Sequence, residues 1–130
     1  MEKQYISCDG AYSFKTFLMQ YRAYLMPEKK LILDMSFPEG TNNIAEFLGI
    51  VGSLQYIKEN NLNIPVYSDS VCALGWVKNK KMNTKMIGMG VDLALEITKA
   101  EQWLKDNKHG TIKKWDTRRL GQVEADYGLK

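Results

Sequence analysis

Between residues 5 and 37 the chain holds three strand-forming segments with very little between them. The first, "QYISCDG", alternates Tyr5, Ser7 and Asp9 with Ile6 and Cys8 and stops at the turn former Gly10. The second, Leu18 to Met26, is rich in strand formers and runs into a turn at Pro27-Glu28-Lys29-Lys30; Leu31 to Phe37 is the third. Links this short cannot carry a chain back across a sheet, so the three strands must form an antiparallel meander.

Pro38-Glu39-Gly40 then breaks the pattern, and a helix is expected from Ile44 to about Glu59, stopped by Asn60 and Asn61. "IPVYSDS" follows as a short strand. A strand, a long helix and another strand form the unit that lays a parallel strand against an existing sheet. "VCALGWVK" reads as a short helix. From Asp92 to Asp106, Leu93, Leu95, Ile97, Ala100, Trp103 and Leu104 fall close to helical spacing, and "GTIKKWDT" reads as a last strand. Gln122 to Lys130 leave room for one or two helical turns. The expected fold is α/β: a five-stranded mixed sheet, three antiparallel strands and then two reached through helices, flanked by helices.

The 130 residues, 45% hydrophobic and 25% charged, suit one globular domain over residues 1–130 with a real core. No apolar run approaches a membrane span, and "MEKQYISCDG" lacks the apolar stretch of a signal peptide, so a cytoplasmic protein is expected. Cys8 and Cys72 lie in apolar surroundings without companions, which argues against a disulfide framework or a zinc site and for small buried thiols. The net charge of +3 is mild, yet Lys78, Lys80, Lys81 and Lys85 crowd into one short segment and Lys113, Lys114, Arg118 and Arg119 into another. Two such clusters suit a polyanion; either alone also reads as a solvated face.

From Ile44 to Leu54 the long helix is apolar or small at every position but Glu46 and Ser53. A carboxylate there is costly unless paired. Locally, Asn43 reads as an N-cap and Glu46 as the third helical residue, reaching back to the cap. The wider layout offers another partner set. Asp9 ends the first strand and Asp69 the fourth, and a parallel relation between those strands brings both to one edge, beneath the start of the helix. Ligands of open α/β sheets bind beyond the carboxyl ends of strands. Clustered carboxylates without His or Cys repel one another until cations neutralise them, and they suit hard ions, Mg²⁺ or Mn²⁺. Two ions would need a fourth acid near the end of the chain, where "WDTRRLGQVEADYGLK" offers Asp116, Glu124 and Asp126; Asp126 is the choice, with Glu124 its rival.

"CDGAYS", "TNNIAE", "YSDS" and the terminal "W…T…G…AD", in this order over nearly the whole chain, resemble the four acidic positions of ribonuclease H. The resemblance implies a two-Mg²⁺ endonuclease, with Mn²⁺ as a substitute, that cuts the RNA strand of RNA-DNA hybrids; no membrane partner is expected, and a monomer is expected over an obligate oligomer. It makes Asp9 the ligand shared by both ions, puts Glu46 and Asp69 beside the leaving 3'-oxygen, and gives Asp126 to the ion that activates water. Asn42 and Asn43 match the pair that contacts the minor groove, where the 2'-hydroxyl distinguishes RNA. Thr41 matches a position that seats a DNA phosphate, although a Thr there also caps a helix. Gly10 and Ser70 are counted with the substrate contacts. Trp76, Lys78, Lys80 and Lys81 lie where many members carry a basic protrusion, Trp76 reading equally well as core. Arg118 and Arg119 complete the basic surface.

The sequence departs from the family pattern in four places. "AYSFKT" stands where a Gly-Asn-Pro-Gly turn is common, Val71 where a polar side chain usually reaches the minor groove, no His lies between Trp115 and Asp126, and only four residues follow Asp126. Arg118 or Arg119 cannot replace that His as a general base, since neither loses its proton. None of these removes a metal ligand, so substrate grip is expected to differ more than chemistry. Two other functions suit the same fold: a nuclease acting on DNA or structured nucleic acid, and a catalytically idle nucleic-acid-binding module.

Overall fold

In the structure, a computed structural model describing residues 4–82 and 89–115, the meander is present as expected. Strands β1 (Tyr5–Ser13), β2 (Leu18–Met26) and β3 (Lys30–Phe37) pair antiparallel. Helix α1 (Asn42–Glu59) then carries the chain to β4 (Val66–Ser68), which lies parallel to β1, and helices α2 (Val71–Asn79) and α3 (Val91–Asp106) lead to β5 (Ile112–Lys114), parallel to β4. The sheet order is β3-β2-β1-β4-β5. Several limits differ from the sequence reading, two of them in the strands that position the acids. The first strand continues past Gly10 to Ser13, because β2 pairs with it over its whole length, and the fourth is only three residues long.

Helix α1 is the centre of the packing. Ile44, Phe47, Ile50, Val51 and Leu54 are at most 1% exposed, and they meet Ile6, Cys8, Met19, Tyr21 and Ala23 of the sheet and Leu93, Ile97 and Leu104 of α3 in one cluster. Burying each such large side chain contributes roughly 1.5–3 kcal/mol, far more than the helix's own propensity. A helix apolar on nearly every side is one buried on nearly every side, and α2 and α3 complete the enclosure. Leu95, at helical spacing in the sequence, is 50% exposed and lies outside this core. The opposite face of the sheet carries a smaller cluster of Tyr5, Met26 and Trp115, with Tyr24 and Tyr67 against it.

Cap geometry corrects the first reading of Glu46. The helix begins two residues before Ile44, its N-cap is Thr41, and Thr41 Oγ1 accepts from the Ile44 N–H at 3.1 Å. Asn43 is therefore inside the first turn, and Glu46 lies too far along the helix to serve as the third residue of a capping box. The link before it is fixed by Gly40, whose φ of +138° is open to glycine alone, and by Glu39, whose Oε1 accepts from the Gly90 N–H at the start of α3.

Helix α1 lies close against the sheet at Gly10. A Cβ there would stand 2.5 Å from the Ala45 carbonyl carbon, 2.6 Å from Ala45 Cβ and 2.7 Å from Glu46 N. Two of those three atoms are backbone, so no rotamer change relieves the overlap. Gly10→Ala is expected to lower stability by about 3 kcal/mol, the upper end for overpacking of a dense core, as read by urea unfolding. A loss under about 1 kcal/mol would show that α1 is free to step back.

Candidate metal centre

Strand β4 pairs with β1 through Ile6↔Val66 and Ser7↔Tyr67, and carrying that register two residues on sets Asp69 level with Asp9. The parallel ladder ends there. On the β4 side of β1 the amides of alternate residues point outward: Ile6 N–H donates to Pro65 O at 3.0 Å, whereas Gly10 and Tyr12 lie past the end of β4. Unpaired buried amides are costly, and α1 supplies their acceptors. Gly10 N–H donates to Glu46 Oε1 at 2.6 Å, and Tyr12 N–H donates to Asn42 Oδ1 at 2.7 Å. Asn42 and Glu46 are four residues apart and so lie on one face of the helix. That face continues the sheet ladder with side chains.

Alternation along β1 turns Asp9 away from the helix-facing Cys8 and Gly10, in cross-strand register with Arg22 and, beyond it, Asp34. Asp9 is 1% exposed and Glu46 4%, while Asp69 is half-buried at the rim. One carboxylate oxygen from each of the three lies within 4.8 Å of the others. The sequence reading brought these acids to one edge, and they meet there. Three like charges at this spacing, two of them out of water, repel strongly, and a bound cation is the direct remedy. The all-oxygen donor set fits a hard divalent ion.

Cys8 lies beside the cluster, but its chemistry differs. Burial pushes its thiol well above its ordinary value, and the Glu46 and Asp9 carboxylates push it further. The sulfur stays protonated and donates to Tyr67 O at 3.4 Å, so it is no ligand for a hard ion. Cys72 corrects the sequence reading of two buried thiols: it is exposed, because the first turn of α2 directs it away from the core.

The other candidates divide. Ser70 caps α2, its Oγ accepting from the Ala73 N–H at 3.1 Å, which fixes the loop carrying Asp69. Gly10 is buried under α1, where its amide holds Glu46. Thr41, Asn42 and Asn43 are exposed at the start of α1, and Lys78, Lys80 and Lys81 are exposed at the end of α2. Trp76 is 9% exposed and packs edge-on against Phe47 at 6.0 Å, which suits the core reading that the sequence also allowed. Val71 is 70% exposed at the rim. Asp126, Glu124, Arg118 and Arg119 lie outside the described residues. Sequence reasoning missed the contact of Asn42 with Tyr12, whose only signal is the four-residue spacing of Asn42 and Glu46.

No family model matches the chain. The solved structures it resembles include an RNase H1 from the halophilic archaeon Halobacterium salinarum NRC-1, at 15% identity over 94% of this chain and 92% of that one, with a TM-score of 0.58. The N-terminal RNase H domain of a Mycobacterium tuberculosis protein, solved as a fusion with maltose binding protein, matches at 16% identity over 93% and 92%, with a TM-score of 0.58. An RNase H1 isolated from compost matches at 12% over 92% and 88%, with a TM-score of 0.54. The chain has the ribonuclease H fold, with the mixed five-stranded sheet of the order given above. Among the described residues no helix is long and apolar enough to cross a membrane.

Two measurements test the centre. Asp69→Asn removes one of the three like charges, so without divalent ions its melting temperature should rise by about 3–5 °C, a gain of about 1 kcal/mol. Millimolar Mg²⁺ should raise the wild-type melting temperature by linkage and leave the variant nearly unmoved; equal shifts in both would place the ion elsewhere. Separately, a thiol reagent at neutral pH should label Cys72 quickly and Cys8 only after unfolding, and two fast thiols in the native protein would contradict the burial of Cys8.

Proposed function

We propose that this ribonuclease H-fold chain is a single-domain, Mg²⁺-dependent endonuclease that hydrolyses the RNA strand of RNA-DNA hybrids, working as a monomer with Mn²⁺ as a substitute. The observation that carries the reading is the buried meeting of Asp9, Glu46 and Asp69 at the split between β1 and β4, on a fold shared with RNase H1 structures. Divalent ions held there supply Lewis acidity to the scissile phosphate and to the attacking water.

The chain's own residues supply position. Glu46 is anchored through Oε1 on the Gly10 amide, which leaves its other oxygen directed by the same rigid contact. Asp9, set within the central strand, cannot withdraw without breaking its pairing with Arg22 of β2. Asp69 rides on the loop that Ser70 caps. Asn42 gives its carbonyl oxygen to Tyr12, so its amide NH₂ is left as a donor for a substrate oxygen at the start of α1, and Asn43 and Thr41 adjoin it as minor-groove and phosphate contacts. Lys78, Lys80 and Lys81, exposed at the end of α2, serve as phosphate contacts, a role also given to Arg118 and Arg119, which lie outside the described residues. Affinity resting on such contacts falls steeply with salt.

The test is direct. Labelled RNA-DNA hybrid, duplex DNA and duplex RNA are incubated with Mg²⁺ and with Mn²⁺, beside Asp69→Asn. The hybrid alone should be cut, at the RNA strand, and the variant should lose at least about 10²-fold in rate, since losing a metal ligand costs no less than losing the outer-shell partner of one. Survival of the hybrid in both metals would end the enzyme reading, and cutting of duplex DNA instead would move the substrate. Asp126→Asn should abolish cutting and Glu124→Gln should spare it; the reverse pattern would exchange the fourth ligand.

A further inference from the structure

Strands β1 and β2 are joined by Phe14-Lys15-Thr16-Phe17, and this turn presents two phenylalanines to solvent, Phe14 at 82% and Phe17 at 64% exposure. Nothing in the turn is loose. Ser13 O accepts from the Phe17 N–H at 2.8 Å, and Ser13 Oγ accepts from the amides of Lys15 at 3.2 Å and Thr16 at 3.4 Å. Phe17 closes it at a φ of +56°, the left-handed region that favours glycine and is unfavourable for a bulky side chain. The ring of Phe14 stands edge-on to Tyr12 at 5.1 Å, and Tyr12 is tied by its amide to Asn42, beside the acidic cluster. A rigid turn thus holds two solvent-facing rings, with a lysine between them, on the strand that carries Asp9.

Exposed apolar pairs at a strained, well-braced turn mark contact sites. Rings interleaved with a cation on a projecting surface are what unpaired bases stack on, since every base has a π-face and every nucleotide a phosphate. Paired bases inside a duplex have no free face. From Asp9 to Phe14 the extended chain spans about 16 Å, or about five nucleotides of one strand. We infer that Phe14 and Phe17, with Lys15, form a stacking platform for unpaired nucleotides flanking the duplex, so that the protein favours hybrids ending in a single-stranded extension and cuts them within about five nucleotides of the junction. This rests on the hybrid-nuclease reading for the cut and not for the binding.

Binding is measured in EDTA, by anisotropy, with a blunt RNA-DNA hybrid and with one whose DNA strand carries oligothymidine extensions at both ends. The wild type should favour the extended hybrid. Phe14→Ala and Phe17→Ala should each reduce that preference roughly 5- to 100-fold, the range for one lost base stack. Phe14→Trp should keep it and Phe14→Leu should lose it, because leucine preserves apolar area without a ring face. Lys15→Ala should lower the salt slope by about one while the phenylalanine variants leave the slope as it is. An unchanged preference in the alanine variants, or rescue by leucine as good as by tryptophan, would overturn the platform. So would wild-type capture by phosphatidylglycerol vesicles that Phe14→Ala abolishes, which would assign the turn to a lipid surface. If hybrid is bound with the expected preference but never cut in Mg²⁺ or Mn²⁺, the nuclease reading fails and the platform stands. In the active protein, Phe14→Ala should scatter the cuts that the wild type gathers near the junction.

Discussion

The missing side chain of Gly10 sets the distance between α1 and the sheet, and the site depends on that distance. With the helix backbone in contact with the strand, Glu46 reaches the Gly10 amide at 2.6 Å and brings its carboxylate to Asp9 and Asp69. A helix held a few ångströms further out would bury the same apolar area less well and would leave both the Gly10 amide and the Glu46 carboxylate without their contact. The geometry is therefore over-determined: core packing, backbone hydrogen bonding and the acidic cluster all require the same separation.

The short β4 explains why a helix is recruited to the sheet edge at all. A longer fourth strand would pair with Gly10 and Tyr12 and close the split in which the acids meet. Ending β4 at Ser68 opens that split at the cost of two backbone donors, and Asn42 and Glu46 offset the cost from one helical face. The same two contacts hold the polar side chains rigidly, as a metal centre needs, since loosely held ligands bind weakly and position nothing. Burial, and then the Glu46 and Asp9 carboxylates, push up the Cys8 thiol that lies beside them.

Much of this was legible in the residues. The three short-linked strands, the long helix between strands and the parallel relation that brings Asp69 level with Asp9 follow from local periodicity and turn chemistry, and the structure repeats them, although Asp9 lies within β1 and not at its end. Other readings failed for identifiable reasons. Asn43 looked like the helix cap because it precedes the apolar run, but Thr41 offers a hydroxyl at the right distance and starts the helix earlier. Cys72 and Trp76 stand on the same short helix, the first expected buried and the second read either as a contact or as core. The azimuth of α2 reversed the first and chose for the second: its inner side faces Phe47 and takes Trp76, and its first turn points Cys72 outward.

The sequence by itself determined the order and kind of the elements, the parallel and antiparallel senses of the strands, and which acids were available, because these follow from spacing along the chain. It could not orient α1. A helix apolar on nearly every side has no preferred inner face, so the direction of Glu46 is open until something outside the helix chooses it. Only the tertiary structure made that choice, through the Gly10 notch that seats Ala45 and the unpaired amide that draws in Glu46. Exposure of Phe14 and Phe17 was likewise decided in three dimensions, by the turn that Ser13 staples.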